Sequence, residues 1–330
     1  MTNIVKNRSE ILFLYDIKDA NPNGDPLDEN KPRIDEETGI NIVTDVRLKR
    51  TIRDYLHDFK DCNVFIIKDV KDDGTQKTRE ERIEELQKDL KRLEVKDDKK
   101  FEKEKKLLLN KYIDLRLFGA TIALKSAKEG EKGRSITLTG PVQFKFGRSL
   151  HQVEPKSIKG TSVMPSKEEA TQGTFIETQI LPYSLICFYG IINENAAGAT
   201  LLKEEDVDLL LDGLWNGTKN LITRSKVGQM PRLLLRVVYK DNNYHLGDLD
   251  RKIKLITDNN MDERAIRDIS DIKLDVSKLL EVFENNKEKI EGIDVQFDED
   301  VSFVLEEREV TANELMKELK QIAKVNTLNL

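Results

Sequence analysis

Histidine and cysteine are scarce in this 330-residue chain, and their scarcity narrows its chemistry. The three histidines, His57, His151 and His245, fall in unrelated segments with no metal-ligand spacing. The two cysteines, Cys62 and Cys187, are far apart in apolar surroundings, which points to buried thiols in a reducing cytoplasm rather than a disulfide. No P-loop, GxGxxG, GxSxG or Cys/His motif is present. No apolar run approaches the length of a membrane span, and Met1 to Glu10 lacks the apolar stretch of a signal peptide. Neither cofactor nor resident metal is expected. Asp25 and Asp28, in the long loop, could in principle hold a metal.

Charge is plentiful. Charged residues make up 35% and hydrophobic residues 38%, so a core must sit under a heavily charged surface. The net charge of −6 disfavours a nucleic-acid binder, but its distribution matters more. Lys219 to Lys240 holds six basic residues and no acid. Arg134 to Gly160 holds five basic residues against Glu154 alone. Asp258 to Glu309 holds 17 acidic residues against 7 basic ones. Such a molecule can hold a polyanion on one face and a protein, or its own copy, on another.

The order of elements suggests a fold. Glu10 to Ile17 (EILFLYDI) reads as a buried strand. Lys18 to Val43, with its NPNGDP turn signals, reads as a long loop. Thr44 is a good N-cap for a helix whose core face is Leu48, Ile52, Tyr55, Leu56 and Phe59. Arg47, Arg50 and Arg53 are spaced as a basic stripe opposite, with Asp54 and Asp58 nearby, and are either a solvated face or a polyanion contact. Asn63 to Lys68 resembles a short strand. Lys71 to Lys106 is an insertion, an amphipathic helix or helical hairpin seamed by Ile83, Leu86, Leu90 and Leu93, with helix continuing to Ala123.

From Ser135 to Arg148 the alternation of Ile136, Leu138, Val142, Phe144 and Phe146 with Thr137, Thr139, Gln143 and Lys145 predicts one strand with its polar set on an open face. Leu150 to Thr174 is a polar loop or extended hairpin, followed by an apolar strand within Phe175 to Ile192. Lys203 to Thr223 is a helix on Val207, Leu210, Leu211, Leu214, Leu221 and Ile222. Arg224 to Pro231 is a basic turn, either a plain connection or a phosphate cradle of Arg224, Lys226 and Gly228, and Arg232 to Tyr239 is a strand. The expected fold is α+β: a modified βαββαβ domain of the ferredoxin-like or RNA-recognition type, with one sheet face free for a ligand.

Four segments carry a family resemblance. Asp19 to Arg50 (DANPNGDPLDENKPRIDEETGINIVTDVRLKR) resembles the N-terminal signature of the backbone subunit of type I CRISPR Cascade complexes, most of all its I-B form. DLRLFGA at Asp114 to Ala120, GPVQFKFGRS at Gly140 to Ser149 and LPYSLICFYG at Leu181 to Gly190 follow in the same order. The resemblance covers most of residues 8 to 240 and implies a hand-shaped RNA-recognition domain. Residues 1–240 would form the palm, with the insertion at about 70–112 and a thumb hairpin at about 151–179. Residues 241–330 would be a C-terminal extension packed on it.

Copies would stack along one CRISPR guide RNA, displaying it to target DNA through base pairing. Other partners would be further copies of the chain, the large and small subunits, and the guide-processing and 5′-end-capping subunits. The RNA contacts would be Asn21, Asn23, Arg47, Lys49, Arg50 and Arg53 around the loop and basic helix, Gln143, Lys145, Arg148 and Lys156 on the central strand and hairpin, and Arg224 and Lys226 in the turn. Met164 and Phe175 would wedge against displaced bases. The subunit would not be a nuclease. Two alternatives stay open at this point: a type III-like subunit cutting target RNA with Asp19, Asp25 or Asp28 and a metal, and a repeat-processing endoribonuclease using His57.

Overall fold

The computed structural model describes residues 3–91, 100–124, 134–161, 175–257 and 261–330. Its centre is strand β1, Ser9–Ala20, whose apolar run is buried on both sides. Helix α1 follows at Asp45–Lys60, started by the Thr44 side chain accepting from the Arg47 N–H and ended at Asp61 in a left-handed conformation. Next come β2 (Gly147–Gln152), β3 (Phe175–Ile192), helix α2 (Glu204–Lys219) and β4 (Met230–Tyr239). These four strands lie side by side in the order β4-β1-β3-β2 within a ten-stranded sheet, each antiparallel to its neighbour. The strands Ile290–Phe297 and Lys324–Thr327 extend the β4 side, and Ile40–Val43 and Ile34–Asp35 extend the β2 side.

The alternation of β1 divides the core. Ile11, Phe13, Tyr15 and Ile17 pack with Leu48, Ile52 and Leu56 of α1 and with Val207, Leu210 and Leu214 of α2. Leu12 and Leu14 point the other way, into a second cluster with Leu235 and Val237 of β4 and with Leu249, Leu274, Phe283 and Phe303 of the C-terminal segment. Each fully buried side chain of this size contributes roughly 1.5–3 kcal/mol. The expected free sheet face is therefore a correction: Leu249, Ile253, Ile266, Leu274, Phe283, Phe303 and Leu319, among others, cover it. The seal is chemical as well as apolar. The fully buried Glu10 accepts hydrogen bonds from the Tyr189 and Tyr239 hydroxyls and, at 2.8 Å each, from the Leu246 and Gly247 amides, which pins the C-terminal segment to β1.

The expected strand from Ser135 to Arg148 is three pieces. Arg134–Thr139 pairs with Gly119–Leu124 in a sheet of their own, Val142–Phe144 joins β3, and β2 begins at Gly147. Gly147 is required there, because a Cβ would sit 2.4 Å from the Phe188 ring. The break turns Phe146 outward, 55% exposed, whereas Ile136, Leu138, Val142 and Phe144 are buried as their alternation requires. Helix stops at Phe118 instead of continuing to Ala123, because Gly119 takes a positive φ of 67° and the chain leaves as a strand. Phe59 and Ile222 are also exposed, the first in the last turn of α1 and the second beyond the end of α2 at Lys219. Asn63 to Lys68 contains no strand, and the long loop contains short ladders instead of being structureless.

The insertion forms helices Arg79–Lys91 and Lys100–Lys111. Its Ile83 and Leu86 share a core with Leu108, Tyr112, Ile122 and Ile136. The side chains of Leu90 and Leu93 lie outside the described residues. The polar segment after β2 is an extended hairpin: Lys156–Thr161 pairs with Phe175–Ile180 at the start of β3. Among the described residues no helix is long and apolar enough to cross a membrane.

Candidate nucleic-acid interface

Near the end of β1 the start of α1 and the Arg224–Gly228 turn bring cations together. The Asn21 N–H donates to the Ser225 carbonyl at 2.9 Å, and its Nδ2 donates to the Asn30 carbonyl at 2.7 Å, tying the long loop to the Arg224–Gly228 turn. The Asn21 Oδ1 is buried with no partner. Arg47, in the first turn of α1, is held below the usual guanidinium range by burial and donates to Thr51 at 3.1 Å. Lys226 is held below the usual lysine range by burial and, second, by the charge of Arg47. Its Nζ has Ser225 Oγ as a partner at 3.1 Å. Arg224 reaches Thr178 on β3 at 3.4 Å. Arg47, Arg224 and Lys226 have no carboxylate partner among the described residues.

Asp54 acts on Arg47 without pairing to it, being bonded to Arg50, so partly burying Arg47 and Lys226 together costs free energy that a bound anion would lower. Tyr15, buried beside Arg47, stays a neutral phenol because burial raises its pKa. A loop, a helix start and a turn thus meet around two half-buried cations.

The other basic candidates, Lys156 apart, are paired. Arg47, Arg50 and Arg53 do not form one stripe, since residues six apart on an α-helix are turned by roughly 120° from each other. Arg50 bonds Asp54 at 2.6 Å. Arg53 is buried, donates to the fully buried Asp114 at 3.1 Å and lies 5.0 Å from the Phe118 ring centroid. Lys49 bonds Asp45 at 2.9 Å and Gln143 at 3.2 Å. Lys145 is drawn to Asp248 at 2.7 Å and Asp250 at 3.5 Å, so it does not share an open face with Gln143. Arg148 pairs with Asp35 at 3.2 Å.

Asn23 is a structural brace, its Oδ1 accepting from both the amide and the hydroxyl of Thr44 at 2.9 Å. Lys156 is exposed on the hairpin opposite Ile180. Met164 lies outside the described residues, and of Phe175 only the backbone is described, paired with Thr161. Sequence reasoning missed Tyr15, Thr178 and the acidic partners Asp114, Asp248 and Asp250. Each stands tens of residues or more from the group it meets, so no local pattern announces it.

Of the candidate carboxylates of the nuclease alternatives, Asp19 is exposed near the end of β1 with a positive φ of 50°, and the other two are engaged in ion pairs. Asp25 pairs with Arg33 at 2.7 Å and Asp28 with Lys31 at 2.8 Å. His57 is exposed and bonded to its neighbour Asp58. Among the described residues no three His, Cys, Asp or Glu side chains gather as a metal site.

Comparison with known proteins places these features in a family. The family described as CRISPR-associated protein Cas7 matches residues 7–277. A curated CRISPR-associated protein Cas7 of Haloferax volcanii is 33% identical over 329 residues, covering 96% of this chain and 94% of its own. A chain of a solved CRISPR RNA-guided surveillance complex superposes with a TM-score of 0.46 at 14% identity, over 87% of this chain and 88% of its own. A chain of a pre-nicking CRISPR RNA-guided surveillance complex gives 0.48 at 12% identity, over 96% and 100%. On the family match and the 33% identity over nearly the whole length, this chain belongs to the CRISPR-associated protein Cas7 family.

Proposed function

We propose that this chain is an RNA-binding backbone subunit of a type I surveillance complex of the Cascade kind, copies of which polymerise along the guide RNA in the cytoplasm and display it for pairing with target DNA. The observation that carries the proposal is the half-buried pair Arg47 and Lys226, neither of them ion-paired to a carboxylate among the described residues, beside the exposed Arg224 at the base of an extended hairpin. A phosphodiester supplies the missing negative charge without demanding a base sequence, which suits a protein that leaves sequence reading to a guide.

The strand order β4-β1-β3-β2 with helices in both crossovers supports a modified RNA-recognition palm within residues 1–240, carrying the insertion and thumb and extended by 241–330. With the second sheet face covered, the RNA would run past strand ends and the hairpin rather than across the sheet. The same proposal gives the chain neighbouring copies and other complex subunits as partners, and no catalysis.

The test is binding of single-stranded RNA as a function of salt. Each phosphate contact on a single strand adds about −0.7 to the slope of log affinity against log salt. Arg47→Ala should flatten the slope by about that amount and weaken all sequences alike. An unchanged slope, or a loss confined to particular bases, would overturn the site. Replacing Ser157–Gln172 with a short Gly-Ser linker should leave a folded protomer that binds RNA but no longer forms regular multi-copy assemblies in electron microscopy. Parent-like filaments would remove the hairpin from the assembly.

A further inference from the structure

A second site lies where the central strand breaks. Phe144, Lys145, Phe146, Arg148, Cys187 and Arg251 are among the residues lining a groove of about 540 Å³. This is within the usual range for a small-molecule or nucleotide site. Phe146 stands 55% exposed in it. The chain cannot tuck this ring inward, because Gly147 beside it is pressed against Phe188. Arg251 is 75% exposed at the rim. Lys145 and Arg148 complete a rim of three cations, each held by a carboxylate: Lys145 by Asp248 and Asp250, Arg148 by Asp35, and Arg251 by Asp248 at 3.9 Å. The rim is therefore close to neutral, unlike the Arg47–Lys226 cluster. What the groove offers is an aromatic ring within a polar, cation-bearing border.

We propose that this groove receives an unpaired nucleobase of bound single-stranded RNA, stacked on the Phe146 ring and bordered by Arg148 and Arg251. The proposal rests on the RNA-binding function argued above and adds to it a contact made through the base rather than the phosphate. An aromatic ring stacks on any base, so the contact fits a protein indifferent to sequence. Arg148 and Arg251 can lie against the outer edge of the base or lean toward the adjoining phosphate.

The experiment pairs Phe146→Ala and Phe146→Leu with Phe146→Trp. The side chain is exposed, so all three should fold with parent-like melting. Phe146→Leu keeps apolar bulk and removes the flat face. Alanine and leucine should both lower affinity for a short single-stranded RNA by roughly 5- to 150-fold, the range for loss of one stacked base, at unchanged salt slope. The Phe146→Trp protein gains an exposed indole in addition to the single native tryptophan, Trp215, which is buried. Saturating RNA should quench the added emission.

Parent affinity in both truncations with an unquenched indole would overturn the groove while leaving the Arg47 salt effect standing. If the truncations abolish self-association in sedimentation while RNA affinity holds, the groove seats a neighbouring copy and the proposal falls. A parent protein that binds no RNA would remove both.

Discussion

Arg53→Ala should destabilise the protein sharply, although the residue sits in a helix segment that looks like solvated surface. The Arg53 guanidinium donates to Asp114 at 3.1 Å and covers the Phe118 ring at 5.0 Å. Asp114 is fully buried and also accepts from the Phe65 and Ile66 amides at 2.8 and 3.0 Å. Removing the arginine leaves that carboxylate buried with two amide donors and no counter-charge. Breaking a buried pair from one side costs about 3–5 kcal/mol. At roughly 2.1 cal/mol/K of unfolding entropy per residue, a chain of this length loses about 1.4 °C per kcal/mol, so the melting temperature should fall by about 4–7 °C.

Arg50→Ala is the control. Its partner Asp54 is an i,i+4 surface neighbour, and the loss should stay within about 0.5 kcal/mol. Differential scanning calorimetry of both variants decides the matter. An Arg53→Ala melting point within about a degree of the parent would refute the idea that this pair joins α1 to the Ile113–Phe118 helix. RNA affinity of the Arg53→Ala protein, measured well below its melting point, should stay near that of the parent, because the side chain faces Asp114 and not the proposed anion site.

Three further outcomes follow from the structure. Lys226 has a folded pKa below its unfolded one, so the unfolded chain binds more protons and stability should rise with pH up to the ordinary lysine range. A bound phosphate favours the protonated amine, so RNA affinity should fall over that same window in the parent but not in Lys226→Met, measured by titration at several pH values. Gly147→Ala forces a Cβ to within 2.4 Å of the Phe188 ring and should cost about 1–3 kcal/mol in denaturant unfolding; an unchanged midpoint would show that the strand break relaxes freely. Burial raises the pKa of both thiols, most strongly that of Cys187, so thiol titration of the native protein should label the half-buried Cys62 first and reach Cys187 only on unfolding.

Sequence alone determined the elements with strong local causes. The Thr44 cap and the spacing of Leu48, Ile52 and Leu56 dictate α1; the apolar run of residues 11–17 dictates a buried strand; and Val207, Leu210, Leu211 and Leu214 dictate α2. The acid-free stretch around Arg224 and Lys226 marked one wall of the proposed anion site, and the polar segment after β2 marked the hairpin. Tertiary structure decided which charges remain available. Arg47 and Arg53 are the same residue type on the same helix, yet Arg53 is cancelled by Asp114, 61 positions away, while Arg47 meets Lys226 instead.

Phe146 shows the same division. Its alternation with Phe144 predicts burial, but the contact of Gly147 with Phe188, 41 positions on, turns the ring outward. Both faces of β1 are covered because a C-terminal segment rich in acids also carries enough buried apolar residues to close the sheet. Local periodicity is set by neighbours within a turn or two of chain, so it specifies helices and strands. Which cation keeps its charge, and which ring stays in water, depends on partners that only folding brings within a few ångströms.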